Sequence, residues 1–184
     1  MDGGFWVFGY GSLMWKPGFE FIERRLARLD GYKRAFSLRS HRYRGTPEDP
    51  GLVLGLDWAP GESCTGMAFR IGPELADATR SYLSDRELVT RSYFETLYPV
   101  TLLGEPPERV HAICYVLDRS HPQYCGELDL EEQAAIIARC VGPSGRNCEY
   151  LHNTVAHLVE LGVEDPELLA LDRRVRELKA AAGA

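Results

Sequence analysis

The 184-residue chain is short of several things, and each shortage excludes a class of protein. No apolar run approaches the roughly 20 residues that a membrane-spanning helix needs. Only Asp2 and two glycines stand between the initiating Met and the apolar stretch at Phe5, with no basic region, so the start does not read as a secretory signal. The five cysteines, Cys64, Cys114, Cys125, Cys140 and Cys148, include no C-x-x-C pair. An odd number of them, with no secretory signal, points to reduced thiols acting as small apolar packing residues. A cytoplasmic protein is expected. The five histidines form no metal-binding pattern: H-E-x-x-H is absent, His152 and His157 fall on different faces of a helix, and His121 precedes Pro122 in a turn. Basic residues do not dominate either. The formal net charge of −6 argues against a general nucleic-acid binder. The cluster Arg24, Arg25, Arg28, Lys33, Arg34, Arg39, Arg42 and Arg44 reads as solvated strand faces. Within it Arg44, beside Gly45 and Thr46, is the first candidate to face an anionic small substrate.

What is present is ordinary for a globular domain: 45% hydrophobic and 26% charged residues, in a length that suits one domain, residues 1–184, with a substantial core. Residues 5–10 read as a strand. The segment 19–38 fits neither period cleanly, and its second half favours strand. Residues 41–51, with Pro47, Pro50 and two glycines, read as a loop. Residues 52–58 and 65–71 predict a hairpin-like pair of strands around Pro60-Gly61. Residues 73–88 predict a helix, with Pro73 in its first turn and an inward stripe of Leu75, Ala78, Thr79 and Tyr82. Strands are expected over 93–103 and 110–117. Helices follow: one capped by Asp129 and running to Cys140, one over 146–161, and one opened by Asp165-Pro166. Strands first and helices last predict an α+β fold rather than alternating βαβ units.

The most informative stretch is Phe5-Trp-Val-Phe-Gly-Tyr-Gly-Ser-Leu-Met14. Glycines at alternate positions let the backbone bend or approach a ligand closely. Backbone N–H groups at such a turn form an anion-binding concavity, and Ser12 adds a hydroxyl. A plain strand–turn–strand is the alternative. Nucleotide motifs fit poorly: Gly11-Ser12-Leu13 leads into Met14-Trp15-Lys16-Pro17-Gly18, which opens no helix, and Lys16 lacks the setting of a P-loop lysine.

This turn resembles the N-terminus of the ChaC-type, glutathione-specific γ-glutamylcyclotransferases. Arg44-Gly-Thr-Pro-Glu-Asp-Pro-Gly51 with Leu52-Val-Leu-Gly-Leu56, then Tyr82-Leu83 with Arg86-Glu87, then Ser144-Gly-Arg-Asn-Cys-Glu-Tyr-Leu151 resemble the family's further landmarks in order. The resemblance implies a small mixed β-barrel flanked by helices, with a helical C-terminal third. It implies cleavage of glutathione to 5-oxoproline and cysteinylglycine, with no metal, nucleotide or organic cofactor and no nucleic-acid or membrane partner. Glu87 would be the proton-transferring carboxylate, with Asp85 and Glu95 as the fallback. At the end of a helix, where negative charge is unfavourable, its pKa is expected to rise with partial burial; a surface glutamate paired with Arg86 is the alternative. The turn Val7, Phe8, Gly9, Tyr10, Gly11, Ser12 and Leu13 would hold the glutamyl carboxylate and the oxyanion. Tyr93 matches a family tyrosine near the site, against a plain half-buried strand tyrosine. Asn147, Glu149 and Tyr150 are expected to cap and anchor a helix. Two other readings stay open: a cyclotransferase for other γ-glutamyl amino acids or amines, and a non-catalytic regulatory module using the same pocket.

Overall fold

The computed structural model describes residues 3–88 and 90–183. The elements are β1 (Phe5–Gly9), β2 (Glu23–Ser40), β3 (Gly51–Ile71), α1 (Ala76–Glu87), β4 (Tyr93–Leu102), β5 (Glu108–Leu117), α2 (Leu130–Arg139), β6 (Val141–Gly142), β7 (Gly145–Arg146), α3 (Asn147–Glu160) and α4 (Pro166–Ala182). The chain forms two compact units, residues 1–35 with 55–121 and residues 36–54 with 122–184.

Five strands close into a barrel in the order β1-β3-β2-β4-β5. Strand β1 is central to this closure. It pairs antiparallel with β3, from Phe5 opposite Ile71 to Gly9 opposite Met67, and parallel with β5, where Val7 lies opposite Ile113. Its continuous apolar run follows from being flanked on both sides: Val7 and Phe8 have no solvent exposure. Strands β4 and β5 form a long antiparallel ladder that sets Glu95 opposite Tyr115. The first unit packs Phe8, Met14, Leu29, Phe69 and Leu102 into its interior.

Three local expectations change. The ambiguous segment is strand for most of its length, because buried residues alternate along it, at Ala27 and Leu29 and then, with the parity switched, at Phe36 and Leu38. Strand β3 runs without a break through Pro60-Gly61, where a turn was expected. Gly61 adopts φ +89° with open space around it, so the backbone irregularity is absorbed inside the strand. In α1 the buried positions are Thr79 and Leu83, while Ala78 faces solvent. The helix is therefore rotated from the expected stripe, and Tyr82, Arg86 and Glu87 are half-buried.

The second unit is built on helices. Asp129 and Asp165 cap α2 and α4, accepting from the N–H groups of Glu132 (2.8 Å) and Leu168 (3.1 Å). Apolar stripes bury Ala134 and Ile137 of α2, Leu151 and Leu158 of α3, and Leu171 and Val175 of α4. Asp172 joins α3 to α4, bonded to His152 and accepting from Arg176 Nε at 2.8 Å. Asn147 anchors the start of α3, although it does not cap it: its side chain accepts from the Leu52 N–H and donates to the Leu52 C=O, both at 2.7 Å. Both residues are fully buried. Replacing Asn147 by Ala leaves two buried backbone groups without partners, at about 1–3 kcal/mol each. Asn147→Ala is expected to lower Tm by roughly 5–15 °C in a thermal melt, at about 2–4 °C per kcal/mol. A shift under about 2 °C would show that these groups find other partners.

Candidate active site

Strand β1 ends at Gly9, and the chain immediately tightens into a single 3-10 turn over Ser12–Met14. The Met14 N–H donates to the Gly11 carbonyl at 2.9 Å and the Lys16 N–H to the Ser12 carbonyl at 2.8 Å. Gly9 is required by space. A Cβ there would stand 2.9 Å from the Leu13 Cβ, closer than packed carbons approach. Gly11 has φ −129°, so it is not the left-handed residue of the turn.

Two arginines hold this turn. Arg34, only 6% exposed, donates from Nε to the Tyr10 carbonyl at 2.5 Å and from a terminal nitrogen to the Thr65 carbonyl at 2.6 Å. The same terminal nitrogen lies 3.7 Å from Met14 Sδ. Arg86, in the last turn of α1, donates to Ser12 Oγ at 2.8 Å, to the carbonyls of Lys16 (2.8 Å) and Pro17 (3.0 Å), and to Tyr82 Oη at 2.9 Å. Its Nε lies 3.1 Å from Glu87 Oε1. One planar guanidinium thus joins the carboxylate of Glu87 to the hydroxyl of Ser12 and to the two carbonyls that follow the turn.

Glu87 is the last residue of α1, and its side chain is 17% exposed. Burial raises its carboxyl pKa above the ordinary value, and the charge and hydrogen bond of Arg86 oppose this only in part. Glu87 is therefore paired with Arg86, as the alternative reading expected, but it is largely buried and not a surface residue. The fallback carboxylates differ. Asp85 is exposed. Glu95 is 37% exposed, accepts from the Tyr115 hydroxyl at 3.0 Å and lies 3.9 Å from Arg80. Tyr115 is almost fully buried, and burial, then the charges of Glu95 and Glu87, push its phenol well above the usual range, so it stays a donor.

The remaining candidates are distributed as follows. Val7, Phe8 and Leu13 are core side chains, leaving only their backbone to a ligand. Tyr10 is buried and Ser12 half-buried beside Arg86. Tyr93 is half-buried at the first position of β4, opposite Leu117. Arg44 belongs to the second unit, where it donates to the Ser144 carbonyl at 2.6 Å and lies over the Tyr150 ring, 5.2 Å from its centre. Arg34 was expected on a solvated strand face with the other basic residues of 24–44, and its burial corrects that expectation, while Tyr115 was not singled out from the sequence. Arg34 shares the strand parity of the buried Phe36 and Leu38, which was the available signal. Among the described residues no group of three or more His, Cys, Asp or Glu side chains is placed to hold a metal ion, and no helix is long and apolar enough to cross a membrane.

The raised pKa of Glu87 has a thermodynamic consequence. The folded protein holds this proton more tightly than the unfolded chain, so the carboxyl favours folding fully below its unfolded pKa. That contribution is lost as pH rises through the folded pKa. The stability of the wild type relative to Glu87→Gln is expected to be greatest below about pH 4, to fall as pH rises, and to level off above the folded pKa. Paired thermal or urea melts across this range test it. A difference that grows with pH would mean that the Arg86 pairing outweighs burial.

The sequence matches the family described as ChaC-like protein over residues 5–178. It is 37% identical over 179 residues to the glutathione-specific γ-glutamylcyclotransferase of Escherichia coli (strain K12), covering 97% of this chain and 76% of that protein. It is 37% identical to the enzyme of the same name from Schizosaccharomyces pombe (strain 972), covering 96% of this chain and 94% of the relative. The crystal structure of a yeast γ-glutamyl cyclotransferase specific to glutathione superposes with a TM-score of 0.85 at 26% identity, covering 96% of this chain and 97% of that one. A closed mixed barrel followed by helices, a glycine turn gripped by arginine, and matches of this extent lead to one conclusion: the chain belongs to the ChaC-like family.

Proposed function

We propose that this protein is a glutathione-specific γ-glutamylcyclotransferase that releases 5-oxoproline and cysteinylglycine, with residues 1–184 serving as one such domain. The observation that carries the reading is the buried carboxylate of Glu87, joined through Arg86 to Ser12 of the glycine turn in a chain of this family.

The chemistry follows from the substrate. The α-amine of the glutamyl arm attacks its own γ-amide carbonyl, the new C–N bond closes a five-membered ring, and the bond to the cysteine nitrogen breaks. No water is consumed. Folding the arm so that amine meets carbonyl is the larger task, and orientation of this kind is worth roughly 7–11 kcal/mol in favourable cases. Backbone donors of the 7–13 turn would hold the glutamyl carboxylate and the oxyanion, at about 2.7–4 kcal/mol per oxyanion donor in comparable acyl chemistry. Taking a proton from an amine of pKa about 8 costs only about 1.4 kcal/mol at pH 7. Glu87 takes that proton and returns it to the leaving nitrogen. Its raised pKa brings the carboxyl nearer the working pH, which favours a group that must do both. Tyr93 would contribute a phenolic donor. No cofactor enters this scheme, and neither nucleic acid nor membrane is a partner. A cytoplasmic setting suits a thiol substrate and five free cysteines.

Incubation of the purified protein with reduced glutathione is expected to yield 5-oxoproline and cysteinylglycine, with turnover unaffected by chelator. Free glutamate in place of 5-oxoproline would mean hydrolysis and overturn the cyclisation. Glu87→Gln is expected to lower kcat by about 10²–10⁴ while the protein still folds and binds. A folded variant retaining more than about a tenth of normal turnover would remove Glu87 from the proton-transfer role. γ-Glutamyl-alanine is expected to react with a much lower kcat/KM than glutathione; equal values would place the enzyme in the broader γ-glutamyl class.

A further inference from the structure

The two arginines grip the turn in different ways. Arg86 holds the Ser12 side chain and the backbone beyond it. Arg34 holds the backbone in the middle of the motif, at the Tyr10 carbonyl, while also bonding the Thr65 carbonyl on β3. Burying a guanidinium costs it much of its hydration, so a buried arginine on main-chain carbonyls is an expensive fastener. Its rigid fork reaches two carbonyls on separate segments at once, which lysine's single ammonium does less well.

The Tyr10–Gly11 peptide is trans. Its C=O and the N–H of Gly11 therefore lie on opposite sides of one rigid plane, and fixing one fixes the other. The carbonyl is drawn to a guanidinium packed beside the fully buried Met14, so the Gly11 N–H points away from that guanidinium. A cation on the carbonyl end also polarises the peptide and strengthens its N–H as a donor.

We propose that Arg34 is a positioning residue for the cyclisation: it orients the Tyr10–Gly11 peptide so that the Gly11 N–H meets the α-carboxylate of the glutamyl group. This rests on the reading of the chain as a γ-glutamylcyclotransferase. Arg34 acts from behind the turn and does not touch substrate. Because the carboxylate is bound equally before and during reaction, the effect falls on binding rather than on the chemical step.

The test is steady-state kinetics of the wild type, Arg34→Lys and Arg34→Gln on glutathione, with thermal melts of each. KM is expected to rise roughly 10- to 100-fold, the loss associated with a hydrogen bond to a charged group, while kcat changes less. Arg34→Lys is expected to lie between the wild type and Arg34→Gln. An unchanged KM, with kcat falling only in step with the folded fraction, would overturn the proposal and leave Arg34 a structural residue. If neither variant folds, glycine-15N-labelled Glu87→Gln protein is titrated with glutathione. A downfield shift of the Gly11 amide proton is expected, and an unmoved Gly11 amide would overturn the proposal. Wild-type protein that does not turn over glutathione would instead overturn the functional reading and this inference with it, so the two failures are distinguishable.

Discussion

The candidate site depends on the Arg86 guanidinium. The Gly9–Met14 turn ends β1, and Glu87 ends α1, more than seventy residues later in the chain. Arg86 spends its donors on both: Ser12 and the following carbonyls on one side, Glu87 and Tyr82 on the other. Its side chain is 22% exposed, so these bonds form in a partly desolvated setting, where a charged donor contributes more than at an open surface. Lysine would present one compact charge in place of a planar fork and would serve fewer of these acceptors in fixed directions.

The same residue accounts for the tolerance of Glu87. A carboxylate at a helix C-terminus meets the negative end of the dipole, and burial further penalises its charge. A neutral environment would drive the group to stay protonated. Arg86 offsets part of this penalty, leaving a carboxyl raised above its ordinary value yet held beside a cation. Such a group can exchange a proton with an amine, which neither a fully solvated nor an unpaired buried carboxylate does as readily. Tyr115 borders the same region from β5 and is kept protonated by burial and by the charges of Glu95 and Glu87.

Buried polar side chains recur in the molecule where backbone must be fixed. Arg34 holds the middle of the glycine turn, and the neutral Asn147 does the equivalent work in the second unit by bonding both polar groups of Leu52. In each case a polar side chain on a regular element bonds main-chain groups of a neighbouring segment, and in doing so sets that segment's position.

The strands of the first two thirds, the helices after Asp129, the Asp129 and Asp165 caps and the Gly9-Tyr10-Gly11-Ser12 turn were legible because each is a local signal: periodicity, capping chemistry or glycine spacing within a few residues. The ordered landmarks likewise made the family legible. Other features were not local. The unbroken β3, the rotation of α1 that buries Leu83 and turns out Ala78, the pairing of Glu95 with Tyr115 and the burial of Arg34 each depend on what lies on a neighbouring strand or helix. The sequence by itself determined which elements form and which residues are chemically able to act. Only the tertiary structure decided that Arg86 ties Glu87 to the turn and that Arg34 seats the turn's central carbonyl, because hydrogen bonds between segments tens of residues apart exist only once closure of the barrel has brought their donors and acceptors within 3 Å or so.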